Sequence, residues 1–205
     1  CLVNAAHQFH IHEKNGDRYI LAGYPWFKCR ARDMFIALPG LTLSINERDY
    51  FELVMETAMR GLQEFMAGQP LSVKIAEIEQ PDVMLWAVWC IQQYAKDAGL
   101  KACQSRYGEL LHAILSFIES GHHPHLTLKE NGLVYTEGHE KPMTWMNSMA
   151  DGHPIVPRSG YIVEFNALWY NALKFSAEMA AFMHDEAEEK RLDNLAMRCQ
   201  QAFVS

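Results

Sequence analysis

The 205 residues, 49% hydrophobic and 21% charged, are enough for one soluble globular core and short for two. A net charge of -7 with no basic stripe argues against nucleic acid as a partner, and the lack of any run of about 18 apolar residues argues against a membrane span. Cys1, Cys29, Cys90, Cys103 and Cys199 are odd in number and scattered, a usage that suits a reducing, cytoplasmic setting better than a disulfide framework or a zinc site.

The chain opens on Cys1 rather than a methionine, so any upstream targeting segment or domain would lie outside this sequence. Residues 2–12, with Ala5, Ala6 and Phe9 on one side, are predicted to be helical up to the Asn15-Gly16-Asp17 turn, and Arg18 to Ala22 to be extended. Gly23 to Leu41 then joins Trp26, Phe27, Arg32 and Asp33 to the apolar run Met34 to Leu43, a predicted buried helix with Asp33 in or near its first turn. Glu47 to Ala67 places Tyr50, Phe51, Val54, Met55, Ala58, Leu62, Phe65 and Met66 at three-and-four spacing, which predicts an amphipathic helix ended by Gly68 and Pro70. Pro81-Asp82 opens another through Ala98; its first half, Val83 to Ile91, is apolar on all sides and should be buried. Leu100 to Glu119 is a further helix, stopping at Gly121.

The helical period disappears between 122 and 162. Leu126 to Thr136, broken by Asn131-Gly132, predicts a hairpin on a two-residue primed turn. A long polar connection follows, a kind of segment that often carries function. Glu164 to His184 and Asp185 to about Phe203 close the chain as helices, giving about seven in all. The fold class is therefore all-α with one small β-hairpin near 126–136. Apolar inner and amphipathic outer helices alternate as in a toroid of helical hairpins.

Trp26 and Phe27 offer flat faces for a sugar ring, while Arg32 and Asp33 pair a forked donor with an acceptor suited to a polyol. The same two residues can equally be a helix cap and an ordinary ion pair. His122, His123 and His125 read as a solvated loop rather than a metal site, since no carboxylate or cysteine joins them at ligand spacing. The Asp185 to Arg191 charge run reads as a solvated helix face. No metal or cofactor is expected.

Pro25-Trp26-Phe27, Arg32-Asp33 and Phe35-Ile36-Ala37-Leu38-Pro39-Gly40-Leu41 resemble the signature of the glycogen-debranching amylo-α-1,6-glucosidase family, although Arg30-Ala31 stand where that family has Trp-Gly. Met143 to Leu173 resembles its second block, closely so at Val163-Glu164 and Asn166 to Leu173, and Gln80 to Trp86 sits where the family has a helix start with Asp82 and Trp86 at substrate-contacting positions. The resemblance implies an (α/α)6 toroid of which residues 1–205 are about the N-terminal half of a single glucosidase domain, without the later helices and the general base. It also implies inverting hydrolysis of α-1,6-linked glucose, with an α-glucan or glycogen oligosaccharide as partner. Trp26, Arg32, Asp33, Asp82, Trp86, Trp145, Glu164, Asn166 and Trp169 become candidate sugar contacts. For Glu164 a place in the capping region remains equally open, and a tryptophan such as Trp169 is by itself more often core.

The family's acid, the aspartate after Thr-Trp-Met, is replaced by Asn147. An amide has no proton to give near neutral pH, whereas inversion needs an acid and a base about 6.5 to 9.5 Å apart. Losing a positioned acid typically forfeits roughly 10²- to 10⁴-fold in rate. Either Glu140 or Asp151 substitutes, or the protein binds glucan without ordinary hydrolysis. Another toroid hydrolase, such as a trehalase or glucoamylase, fits the Arg-Asp pair but not the other blocks. Half a toroid should also leave the faces of Val83 to Ile91 and Phe165 to Phe175 bare, which predicts self-association.

Overall fold

A computed structural model describes residues 1–24, 26–138 and 140–205. The chain divides into two compact units, Cys1–Glu79 and Gln80–Ser205. The first holds α1 (Leu2–His7), a hairpin of β1 (His10–His12) and β2 (Arg18–Ile20), α2 (Ala31–Leu41), a 3-10 turn (Leu43–Ile45) and α3 (Arg48–Met66). The second holds α4 (Val83–Ala98), α5 (Leu100–Glu119), the hairpin β3 (Thr127–Leu128) and β4 (Val134–Tyr135), the hairpin β5 (Met149–Ala150) and β6 (His153–Pro154), α6 (Val163–Phe182) and α7 (Glu186–Phe203). Mostly helical structure is as expected. Among the described residues no helix is long and apolar enough to cross a membrane.

In the first unit the apolar stripe of α3, with Phe51, Val54, Met55, Ala58 and Leu62 all buried, meets Tyr19 and Ile20 of β2. Met34, Phe35 and Leu38 of α2 are buried beside them. The returning segment joins this core because α3 carries Gly61, where any β-carbon would stand 2.6 Å from a Val73 methyl. Its backbone then ladders onto the entry to α2, Ala31 N–H donating to Ala76 O at 2.9 Å and Ala76 N–H to Cys29 O at 3.0 Å. Asp17, buried in the hairpin loop, is pushed up by desolvation, but Arg60, Asn15 and Tyr19 donate to it and hold its carboxyl below the usual range.

In the second unit α4 packs on α5 and α6, and α6 on α7. Gly99 alone separates α4 from α5, and its φ of 87° is a conformation that glycine adopts cheaply. Asp185 caps α7, accepting from Glu188 N–H at 3.0 Å.

Several expectations need correction. Residues 2–12 are not one helix: α1 ends at His7, and His10–His12 pairs antiparallel with Arg18–Ile20, in register His10 with Ile20. Among the described residues there are three hairpins rather than one. Asn131-Gly132 does not form a two-residue primed turn. Gly132 N–H donates to Lys129 O and Lys129 N–H to Leu133 O, both at 2.9 Å, so the loop is a turn followed by a left-handed Gly132 at φ 86°. Asn15-Gly16 closes the first hairpin the same way, with Gly16 N–H on Glu13 O, Glu13 N–H on Asp17 O and Gly16 at φ 98°. The primed turn is instead at Asp151-Gly152, φ 49° and 81°, between β5 and β6.

Of the histidines expected in a solvated loop, His122 is exposed and His125 half-buried, but His123 is not solvated. His123 is buried, its ring pushed down to about pKa 4 by burial and then by His125. Nor are the inner faces bare: Val83, Met84, Leu85, Ala87, Val88, Cys90 and Ile91, and Phe165, Leu168, Trp169, Ala172, Leu173 and Phe175, are all buried.

Candidate functional site

The first group of candidates lies at the start of α2. Consecutive helical residues point about 100° apart, so the helix turns Arg32 inward, 6% exposed, and Asp33 outward into solvent. Asp33 lines an open depression of about 470 Å³ together with Phe9, Leu21, Ala22, Ile36 and Gly40. Arg30 is the N-cap, without a side-chain capping bond, so Asp33 acts in the first turn through its charge rather than as a cap. The aromatic loop ahead of it is tied by Phe27 N–H donating to Gly23 O at 3.1 Å, while the Arg30 guanidinium stands 5.1 Å over the Phe27 ring. Trp26 is left 83% exposed, a large flat face in water. Pro25 of this motif lies outside the described residues.

In the second unit Asp82 precedes α4 and is buried, accepting from the Trp86 indole N–H at 3.2 Å. Trp86 is half-buried and meets Trp89 edge to face at 5.5 Å between centroids. An aspartate one turn before a tryptophan therefore fixes the indole rather than capping the helix.

A denser group surrounds the first turn of α6. Glu164 accepts both arms of the Arg158 guanidinium, one of them Nη2 at 2.9 Å on Oε2, and its Oε1 also takes the Trp145 indole N–H at 3.2 Å. Chiefly through Arg158, these donors hold the Glu164 carboxyl below its ordinary value, as an anion. Trp145 is 60% exposed, and Met146, Met149, Ile155, Tyr161 and Val163 are also open to solvent. Sequence reasoning overlooked Arg158. Its signal was the Pro157-Arg158 step six residues before Glu164, too far in sequence to read as a pair.

Asn147 is half-buried on the same connection, and Glu140 and Asp151 are exposed. Asp151 sits at the tip of the β5–β6 turn, and neither carboxylate makes a side-chain hydrogen bond among the described residues.

Asn166 and Trp169 face inward. Asn166, 1% exposed, accepts Val134 N–H at 2.8 Å and donates to Val134 O at 3.0 Å and Ile162 O at 3.1 Å. The wholly buried Trp169 donates its indole N–H to Gly132 O at 3.1 Å. Their polar atoms are spent on backbone, fastening the β3–β4 hairpin to α6. Apart from these candidates, His7, His10 and Glu47 bring two imidazoles and a carboxylate together in the first unit.

With this geometry in hand, comparison with family models finds one match, described as amylo-alpha-1,6-glucosidase, over residues 4–205. Comparisons with curated proteins and with solved structures returned no match.

Proposed function

The chain belongs to the amylo-alpha-1,6-glucosidase family, and on that premise we propose that it is the N-terminal part of a cytoplasmic debranching domain, an (α/α)6 toroid that binds the end of an α-glucan or glycogen chain. The reaction proposed is hydrolysis of α-1,6-linked glucose with inversion. The observation that carries the site is the Trp145–Glu164–Arg158 group: an exposed indole whose N–H is turned onto a carboxylate kept charged by a bidentate guanidinium. An apolar ring face beside a fixed anionic acceptor is what a sugar needs, the face for its C–H side and the acceptor for a hydroxyl. Trp26 and Asp33, both exposed near the start of α2 with Arg32 turned inward, are proposed as further sugar contacts of the first unit. Asp82 and Trp86 are assigned to sugar contact at the start of α4, Asn166 and Trp169 to positioning α6 against its hairpin.

Glu164 is a poor general acid. A group that must hold a proton near neutral pH needs its pKa raised, and Arg158 works in the opposite direction. The acid's position therefore rests with Asn147, or with Glu140 or Asp151 in its place. A second reading, a non-catalytic α-glucan-binding protein on a glucosidase frame, is favoured by Asn147 and by the lack, among the described residues, of any side chain steering Glu140 or Asp151. The deciding experiment is glucose release from a phosphorylase limit dextrin by the full-length protein. Release that Glu140→Gln or Asp151→Asn abolishes identifies a substitute acid. Binding without release, with release gained in Asn147→Asp, supports the binding protein, and failure to bind maltooligosaccharide at all sinks both readings.

A further inference from the structure

Glu47 occupies the N-cap of α3, where a side chain ordinarily turns back onto the helix's free N–H groups. It does not do so: there is no capping bond, and the carboxylate faces His7 and His10 instead. Oε1 lies 2.5 Å from His7 Nε2, and Oε2 lies 3.7 Å from His10 Nδ1. The first contact is shorter than the usual N–H···O range; the second is too long for a hydrogen bond, though within the reach of an ion pair.

The state of His10 follows from its other nitrogen. Nε2 is 3.0 Å from Leu41 O, and a carbonyl only accepts, so Nε2 carries a proton. In the neutral ring Nδ1 is then the nitrogen left to act as a base, and it stands 3.7 Å from an anionic oxygen. Two acceptors facing each other repel unless a cation lies between them. The ring cannot easily turn away, because it stacks on Tyr50 at 4.0 Å and 11°. Tyr50 is itself fixed, its hydroxyl lying 3.1 Å from Ile11 O and 3.3 Å from Tyr19 O. An imidazole held in one tautomer by a backbone carbonyl, with its free nitrogen beside a carboxylate, is how proteins prepare a metal ligand.

We propose that His7, His10 and Glu47 bind a divalent cation of the zinc class, and that the ion fastens α1 to the start of α3. Their donor atoms all lie within 4.8 Å of one another. A tetrahedral zinc with ligands at about 2.0 to 2.2 Å sets its donors about 3.3 Å apart. Glu47 and His10 are within a few tenths of an ångström of that spacing, and the exposed His7 supplies the rest of the movement. Two histidines and a glutamate leave the fourth position to water. Two imidazole nitrogens with a single carboxylate favour zinc over calcium or magnesium, which take all-oxygen sites. The need for such a tie is also visible: α1 is only six residues long and buries only Ala6, too little to hold a helix of that length by itself.

The test uses the 205-residue chain, stripped with chelator and titrated with zinc chloride alone by calorimetry, with melting temperature followed in parallel. One saturable equivalent is expected, with a rise in melting temperature that chelator reverses. His7→Ala and Glu47→Gln should each weaken binding at least tenfold, while Cys1→Ser and His122→Ala leave it unchanged. His7 is exposed, so its variant keeps the fold and remains informative even where His10→Ala does not. The proposal is overturned by the absence of saturable binding, or by an equivalent that survives both His7→Ala and Glu47→Gln. Loss of binding on Cys1→Ser with retention in His7→Ala overturns it equally.

Discussion

Arg32 and Asp33 are adjacent, yet the helix assigns them opposite surroundings, and this separates two explanations that the bare sequence leaves open. An exposed Asp33 that caps nothing can be truncated without stranding a buried partner, so Asp33→Ala should leave the melting temperature within about 1 to 2 °C of the parent, a surface change of under about 0.5 kcal/mol. Maltooligosaccharide affinity should fall roughly ten- to a hundred-fold if a hydroxyl loses its acceptor, and Trp26→Ala should lower it through the lost stacking face. Titrating a maltooligosaccharide into each variant, alongside its melting curve, checks this; unchanged affinity removes Asp33 from the site. Arg158 and Glu164 make a pH-dependent counterpart. The folded-state pKa of Glu164 lies below its ordinary value of 4.5, so the pair's stabilisation is complete above that value and is lost as pH falls through the lowered one. Partly exposed, it contributes about 1 kcal/mol. Arg158→Met should therefore have a lower urea midpoint than the parent at pH 7, and the gap should close in acid. A gap that persists well below pH 4 would mean that Arg158 acts through packing instead.

At the scale of elements, the β3–β4 hairpin is too short to stand alone and depends on α6. Asn166 satisfies both backbone groups of Val134 inside the core. Asn166→Leu would strand them at about 1 to 3 kcal/mol each, a loss visible in denaturant midpoint and in faster hydrogen exchange at the Val134 amide. Protection of that amide in the variant would show that the hairpin holds without the asparagine. Helices were the legible part of the sequence, because spacing such as Phe51, Val54, Met55, Ala58 and Leu62 reports directly on one buried stripe. What was not legible depended on distant partners. His10–His12 looks like a continuation of α1 until Arg18–Ile20 supplies its ladder. The two Asn-Gly pairs share a feature that dipeptide preference does not reveal: each asparagine side chain accepts the N–H two residues on, at 3.1 Å from Asp17 and from Leu133, and the glycine takes the left-handed place after the turn. Asn166 and Trp169 stand on a helix face that could have served a ligand as well as a hairpin; only the position of Val134 and Gly132 decides. The Arg158–Glu164 fork was hidden for the same reason.

At the scale of the whole chain, the boundary between Glu79 and Gln80 separates two sets of internal contacts, and the second set has what an autonomous fold requires. Four helices of 16 to 20 residues pack successively on one another. Their buried side chains, among them Val88, Ile91, Tyr94, Tyr107, Ile114, Phe165, Trp169, Leu173 and Leu195, form a contiguous apolar interior, and burying each large one contributes about 1.5 to 3 kcal/mol before the entropy of ordering is charged against it. The loops joining α4 to α5 and α6 to α7 are short, which keeps contacts local and the closure cost low. Residues 80–205 expressed alone should therefore be helical by circular dichroism and unfold in a single cooperative transition with urea. The Trp145–Glu164–Arg158 group lies entirely within this unit, so Trp145→Phe should change the emission of the isolated unit as it does that of the whole chain. A non-cooperative, dye-binding product would mean that the interior of α4 to α7 is completed by residues 1–79, and the chain would then have to be treated as one folding unit.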